Sequence, residues 1–142
     1  MKALFEVVIL PVSNPDASLR FYRDQLRFDL DVDYAQLPDF RVIQLTPQGS
    51  STSIQIGVGL TDAPAGSVRG LYLVVPDIEA CRSELTDRGV TVSEIRHKDT
   101  DGGWRGGFIP GLDPDRGESA SFADFRDPDG NAWVLQERGR TS

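Results

Sequence analysis

The sequence predicts an α+β fold built from two βαβββ modules. The first observation is an internal repeat, in which residues 7–14 (VVILPVSN) are echoed 63 positions later by residues 70–77 (GLYLVVPD). In both copies an apolar, β-branched run leads into Asn or Asp and then an amphipathic stretch, the pattern of strand, helix N-cap and helix. The second observation is that further strand-like runs, separated by turn residues, follow each copy. Paired halves commonly hold a ligand in the cleft that they enclose.

The first module is predicted to span residues 1–58. Asn14 is suited to cap its helix and Pro15 to the first helical turn. Leu19, Tyr22 and Leu26 then recur on one apolar helix face. Turn residues near 38–39 and 47–49 separate the later strands. The predicted order is strand 2–12, helix 15–26 and strands near 28–36, 40–46 and 51–57.

The second module is predicted to span residues 69–139, after an aperiodic linker at 59–68. It repeats the order of the first, with strand 69–75, helix 78–88 ended by Gly89, and strands near 90–97, 118–125 and 131–137. An inserted loop, residues 98–117, interrupts it and is rich in Gly and Pro. The loop contains the large side chains of Trp104, Arg105 and Phe108, which are costly to leave in water and favour a lid or an interface element. The alternative is a plain mobile insertion.

Composition limits the kinds of partner. The 142 residues suit one domain, and a net charge of −7 with a pI near 4.6 argues against nucleic acid and anionic membranes. No apolar run approaches the roughly 18 residues of a membrane span, and Met1 leads directly into strand-like sequence rather than a signal peptide. We therefore expect a cytoplasmic protein whose partners are small molecules or other proteins.

Few residues offer soft metal ligands or nucleophiles. Cys81 is the sole cysteine and lies in phase with Ile78 and Leu85 on the predicted helix, which favours a buried, inert thiol. His97 is the sole histidine, so a metal site within one subunit would consist mainly of oxygen ligands. The acidic segments 99–102 and 127–131 lack the spaced oxygens of a calcium loop and are interpreted as turns.

Three features together resemble the vicinal oxygen chelate superfamily, which includes glyoxalase I, extradiol dioxygenases, fosfomycin-modifying enzymes and bleomycin-binding resistance proteins. They are the paired βαβββ modules, the helix sequence RFYRDQL at 20–26 and the hairpin sequence FRDPDGNAW at 125–133. The resemblance implies a glyoxalase-like fold, in which two curved sheets form a cup around a divalent metal that acts as a Lewis acid. It also implies a homodimer. Arg27 stands where members commonly have a helix-ending glycine.

The metal positions implied by the resemblance can be checked one by one. They lie on the first and last strand of each module and correspond here to Val7, Gln55, Gly70 and Val134. One amide oxygen cannot hold a divalent ion alone, so we expect no metal cofactor. Glu137 is no substitute, because alternation along the strand turns it to the face opposite Val134.

The same alternation predicts which residues line the cup. Trp133 falls on the helix side, in the core. The cup-lining positions are predicted to be Val7, Ile9, Ser53, Gln55, Gly70, Tyr72, Ala132, Val134 and Gln136. Tyr72 and Gln55 are its polar recognition groups, and Gly70 leaves room at its centre. From the loop, Trp104, Arg105 and Phe108 are candidates to close over a planar or anionic ligand.

Three functions remain open from the sequence. The first is an apolar cup that binds a small aromatic or hydrophobic molecule without the usual metal. The second is an enzyme of the same fold, a lyase, isomerase or dioxygenase, with relocated metal ligands or with metal-free acid–base catalysis by Tyr72 or His97. The third is a structural module whose cup is filled by its own side chains.

Overall fold

A computed structural model describes residues 1–99 and 106–139. The chain divides into two compact units, one formed by residues 1–69 with the turn 127–131, and one by residues 70–126 with 132–142. Within the described residues, the strands form one four-stranded and one five-stranded sheet, each accompanied by a helix. The predicted α+β fold with two modules is confirmed.

The first unit contains the first βαβββ module. Its elements are β1 (Val7–Ile9), α1 (Pro15–Arg20) continued by a π-helical segment (Phe21–Gln25), β2 (Asp29–Leu37), β3 (Phe40–Thr46) and β4 (Ser53–Val58). The sheet order is β1-β4-β3-β2, with β1 parallel to β4 and the other pairs antiparallel. The core side of β3 and β4 is fully apolar, and α1 packs against β4. Its buried residues are Ile43, Leu45, Ile54 and Ile56.

The helix begins as the sequence predicts and ends in an unusual way. The Asn14 side chain accepts a hydrogen bond from the backbone N–H of Ala17 at 3.1 Å. At the other end Leu26 donates its N–H to the carbonyl of Phe21, five residues back, which widens the last turn. Arg27 then adopts a φ of +63°, the left-handed conformation that glycine usually supplies.

The first strand is shorter than predicted. The prediction was 2–12, whereas β1 covers only Val7–Ile9, and residues 1–6 are exposed. The reason is the length of its partner, because β1 is an edge strand that pairs with β4 alone and Val7 already lies opposite Ser53. Ser53 is the first residue of β4, and its N–H bonds to Glu6, which ends the pairing on that side. On the other side Leu10 donates the last bond, to Gln55, and Pro11 has no N–H with which to continue the ladder.

The second unit contains the second module with one additional strand. Its elements are β5 (Leu71–Val75), α2 (Ile78–Asp87), β6 (Arg96–Lys98), β7 (Phe108–Pro110), β8 (Ser121–Arg126) and β9 (Ala132–Glu137). The sheet order is β5-β9-β8-β6-β7, and α2 packs against β8 and β9. Trp133 is 3% exposed and stacks on Phe125, so its prediction as a core residue is confirmed.

Two predictions for this module need correction. The predicted strand 90–97 is wrong over 90–95, where Val90 and Val92 are buried but regular pairing begins only at Arg96. In addition, the inserted loop 98–117 is not loop throughout: by its pattern this module shows one strand fewer than the first, a missing strand is expected in or beside the loop, and β7 lies there, paired with β6. Where regular pairing begins and ends depends on which distant strand supplies the hydrogen bonds.

The 63-residue repeat corresponds to a repeated strand register. In the first sheet Ile9 lies opposite Gln55, and in the second its counterpart Tyr72 lies opposite Val134. The first and last strands of each module are parallel in both sheets. The repeat in the sequence is therefore a repeat in three dimensions, residue for residue on these strands.

The Asp-Pro-Asp-Gly-Asn turn, residues 127–131, fastens several parts of the first unit. The buried Asp127 carboxylate accepts hydrogen bonds from the Tyr22 hydroxyl and the Asn131 side chain, both at 2.8 Å. Asn131 also donates to the carbonyl of Pro11, and Ser13 donates its hydroxyl to Asp129. The interpretation of this motif as a structural turn is confirmed, and the turn also makes hydrogen bonds to residues distant in the sequence.

Within residues 1–99 and 106–139, every helix is too short or too polar to cross a membrane.

Candidate functional site

The open side of the first sheet is the first candidate surface. Side chains alternate along β3 and β4, so burial of one set leaves the other set facing away from α1. This surface, the first face, is apolar apart from two glutamines, and the amide of Gln55 donates to that of Gln44 at 3.0 Å. Ile9 is 37% and Tyr34 40% exposed. The first face consists of Val7, Ile9, Val32, Tyr34, Val42, Gln44 and Gln55.

Ser53 lies at the margin of the first face and is buried. Its hydroxyl is 2.6 Å from that of Thr46, which in turn donates to the Asp31 carboxylate. Ser53 is thus engaged within the unit rather than presented to a ligand.

The open side of the second sheet is more exposed and more polar. Tyr72 is 57%, Val74 50% and Phe108 52% exposed. The strand registers place these residues on the same side of the sheet as alternate residues of β6, β8 and β9. This surface, the second face, consists of Tyr72, Val74, Arg96, Lys98, Phe108, Phe122, Asp124, Arg126, Ala132, Val134 and Gln136.

A cluster of cations and aromatic rings occupies one end of the second face. Arg96 forms a bidentate ion pair with Asp124, with N···O distances of 2.7 and 3.1 Å. Its guanidinium carbon lies 4.8 Å from the ring centre of Phe108 and 5.8 Å from that of Phe122. The Lys98 ammonium lies 5.5 Å from the Phe122 ring centre. These distances are typical of cation–π contacts.

Sequence reasoning missed most of this cluster. Of its members only Phe108 was a predicted ligand contact, and it was assigned to a loop rather than to a strand. Arg96 and Lys98 are not among the predicted site residues, although their spacing of two residues places both on one strand face. Alternation in β8 likewise places Phe122 and Asp124 together.

The two candidate catalytic residues are not brought together. His97 lies opposite Ser121 and Ile109 in the ladder, so its side chain leaves the sheet on the side opposite Tyr72. Its Nδ1 atom is 2.8 Å from the carbonyl oxygen of Gly111. Tyr72 and His97 therefore belong to opposite sides of the second sheet.

Gly70 has a conformational reason for being glycine. Its φ is +78°, where an L side chain is strained, and a Cβ built on it meets no atom within 4 Å. There is room at this position, as predicted, but the backbone conformation alone accounts for the residue. The same φ explains why β5 begins at Leu71 rather than at residue 69.

Two of the predicted loop contacts, Trp104 and Arg105, lie outside the described residues. At the end of the same loop, the pKa of Arg116 is raised because its guanidinium pairs with the Glu137 carboxylate, at 2.9 and 2.6 Å. This contact anchors residues 113–117 to the second unit.

The donor set at the implied metal positions does not fit a divalent ion. Of Val7, Gln55, Gly70 and Val134 only Gln55 carries a metal-ligating atom, its amide oxygen, and one neutral oxygen cannot hold a divalent ion. In the part of the chain that the structure describes, no three His, Cys, Asp or Glu side chains form a group that could hold a metal.

Glu137 points away from the second face, as strand alternation predicts. It is 1% exposed and accepts the backbone N–H of Ile78 at the start of α2. The pKa of Glu137 is lowered, chiefly by the hydrogen bonds from Arg116. Burial raises the pKa of the half-buried Cys81 thiol, which keeps that side chain protonated and unreactive.

A cavity of about 220 Å³ lies within the first unit. It lies at the ends of β1 and β4 beside the linker. The two hydroxyls in its wall are already engaged, Ser13 with Asp129 and Thr61 with the backbone N–H of Ala63. We therefore regard the sheet faces, not this cavity, as the candidate site.

Comparison with known proteins agrees with this architecture. A model of the Glyoxalase/Bleomycin resistance protein/Dioxygenase superfamily matches residues 4–135. A comparison with curated protein sequences found no match.

Similar solved structures span nearly the whole chain. TnmS3, an antibiotic binding protein from Streptomyces sp. CB03234, is 28% identical with a TM-score of 0.74, over 97% of this chain and 98% of that one. A glyoxalase/bleomycin resistance protein from the same organism is 29% identical with a TM-score of 0.69, and the match covers 94% of this chain and 99% of that one. A superfamily member from Sphaerobacter thermophilus is 25% identical with a TM-score of 0.72, over 96% and 98%. The chain belongs to the Glyoxalase/Bleomycin resistance protein/Dioxygenase superfamily.

Proposed function

We propose that this protein binds a small aromatic or hydrophobic molecule on the open faces of its sheets, without a divalent metal. The observation that carries the proposal is the exposure of Tyr72, Val74 and Phe108, each half or more exposed on one sheet face. Tyr72 and Val74 adjoin Val134 on the neighbouring strand β9 and form an apolar patch with it, whereas Phe108 lies at the opposite edge of the sheet. An exposed apolar patch often marks a binding site, because leaving it in water costs free energy. Such exposure also argues against a face filled by the protein's own side chains.

The similar structures support the same class of function. TnmS3 is an antibiotic binding protein, the second similar structure is a glyoxalase/bleomycin resistance protein, and both match over nearly their full length. A small-molecule site needs an apolar surface with a few polar groups, and on the second face Tyr72 and Gln136 supply a hydroxyl and an amide.

The proposal is tested with N-phenyl-1-naphthylamine, a neutral aromatic probe whose fluorescence rises on entering an apolar site. We expect saturable binding that is unchanged by EDTA or by added Mn²⁺, Ni²⁺ or Zn²⁺. Val134→Trp should weaken binding at least fivefold, because Val134 lies beside Tyr72 on the second face, on the neighbouring strand. Ser83→Trp, on the exposed side of α2, is the matched control and should leave binding unchanged.

Two results would count against the proposal. Absence of saturable binding of this probe would remove the binding function. Binding that requires a metal and is abolished by EDTA would instead favour the enzyme with relocated ligands.

A further inference from the structure

We infer that the bound molecule carries an anionic group, and that Arg96 binds it from the second face. This inference rests on the proposed function and specifies the chemical class of its ligand. The observations that carry it are the fixed position of the Arg96 guanidinium, its remaining donors and the charge of the face around it.

Arg96 is held in place before any ligand arrives. The Asp124 carboxylate binds Nη1 and Nη2, and the rings of Phe108 and Phe122 contact the guanidinium plane. A side chain that is already fixed loses little entropy when it binds a ligand. The guanidinium is therefore preorganised, whereas a free arginine is not.

Arg96 also retains unused donors. A guanidinium has five N–H groups, and the ion pair with Asp124 uses one on each Nη atom. Among the described residues no acceptor contacts its Nε–H or its other N–H groups. The side chain is 27% exposed, so these donors are accessible to a ligand. Carboxylate, sulfonate and phenolate oxygens are the acceptors that such donors bind most strongly.

The electrostatics of the second face favour the same ligand class. Its strand residues include three cations, Arg96, Lys98 and Arg126, against the single anion Asp124. This excess of positive charge occurs in a chain whose net charge is −7. His97, the neighbouring titratable group, leaves the sheet on the opposite side. A local field of this sign attracts anions to an otherwise acidic protein.

The aromatic rings specify the rest of the ligand. Phe108 is half exposed beside the guanidinium, whereas Tyr72 lies at the opposite edge of the sheet. A planar aromatic group can therefore lie against the Phe108 ring while its anionic substituent reaches Arg96. We assign the ligand to the planar aromatic anions.

The experiment compares two probes that differ only in charge. 8-Anilinonaphthalene-1-sulfonate is N-phenyl-1-naphthylamine with an added sulfonate, so the difference between their affinities isolates the anionic group. Arg96→Gln removes the cation and should weaken binding of the sulfonate about tenfold, the loss expected for charge-assisted hydrogen bonds. Binding of the neutral probe should change less than twofold. Arg20→Gln, an exposed arginine on α1, is the matched control and should change neither.

The outcomes separate the inference from the function on which it rests. If neither probe binds the wild type, the proposed function fails. If the neutral probe binds but Arg96→Gln leaves the affinity for the sulfonate unchanged, or weakens both probes equally, the inference alone is refuted. If the variant does not fold, the salt dependence of probe binding to the wild type decides. Raising NaCl from 0.02 to about 0.5 M should weaken binding of the sulfonate and leave binding of the neutral probe unchanged.

Discussion

Arg116→Met should destabilise the protein through the buried carboxylate of Glu137. Arg116 donates to both oxygens of this carboxylate, at 2.9 and 2.6 Å, and Glu137 is 1% exposed. Methionine keeps the aliphatic stem but leaves the buried charge with only the backbone N–H of Ile78. The change therefore tests the ion pair rather than the packing around it.

The magnitude follows from the burial of the two partners. Removing one partner of a fully buried ion pair costs about 3–5 kcal/mol, because the remaining charge is uncompensated. The Arg116 side chain is 23% exposed, so water can partly replace it. We expect a loss of about 2–3 kcal/mol at pH 7, which corresponds to a fall in Tm of roughly 6–9 °C for a domain of this size.

The loss should depend on pH with a defined sign. The pKa of Glu137 is lowered in the folded protein, first by the hydrogen bonds from Arg116 and further by the Ile78 N–H. A carboxyl group of this kind stabilises the fold above its unfolded pKa of about 4.3, and the contribution disappears as pH falls through the folded pKa. The difference between wild type and Arg116→Met should therefore be largest above about pH 5 and shrink toward pH 3.

Urea unfolding followed by circular dichroism at several pH values is the assay. Glu137→Gln should lower the free energy of unfolding less than Arg116→Met does. The amide oxygen of the introduced glutamine can still accept the N–H of Ile78, and no buried carboxylate charge remains. The double variant should lose less than the sum of the two single losses. A loss below about 0.5 kcal/mol for Arg116→Met at pH 7, or an equal loss at pH 3.5, would refute the reasoning.

Three further predictions concern single positions, each measured by urea unfolding. Arg27→Gly should raise the free energy of unfolding by about 0.5–1 kcal/mol, because glycine adopts the φ of +63° without strain. The control Arg20→Gly, within α1, should lower it by about 1 kcal/mol, and a change of the same sign in both variants would contradict the prediction. Ser18→Ala should be neutral or stabilising by up to about 1 kcal/mol, since its buried hydroxyl has no hydrogen-bond partner among the described residues. Tyr22→Phe should cost about 2 kcal/mol, because Asp127 loses a buried donor; a cost below 0.5 kcal/mol would contradict it.

The candidate site was only partly predictable, and particular residues show why. Alternation correctly separated Glu137 from the second face and placed Trp133 in the core. The ion pair between Arg96 and Asp124 was missed, because it joins residues 28 positions apart on neighbouring strands. Nothing in either local sequence specifies that pairing.

The sequence by itself determined the two-module fold, the cap at Asn14, the turn at residues 127–131 and the two sides of each strand. These features depend on short-range rules, since caps, turns and alternation are set by neighbouring residues. Only the tertiary structure decided that β7 joins the second sheet, that Arg27 and Arg116 take left-handed conformations, and that cations and aromatic rings meet on the second face. Strand pairing and side-chain contacts between distant segments follow from packing the whole chain, which no local pattern encodes.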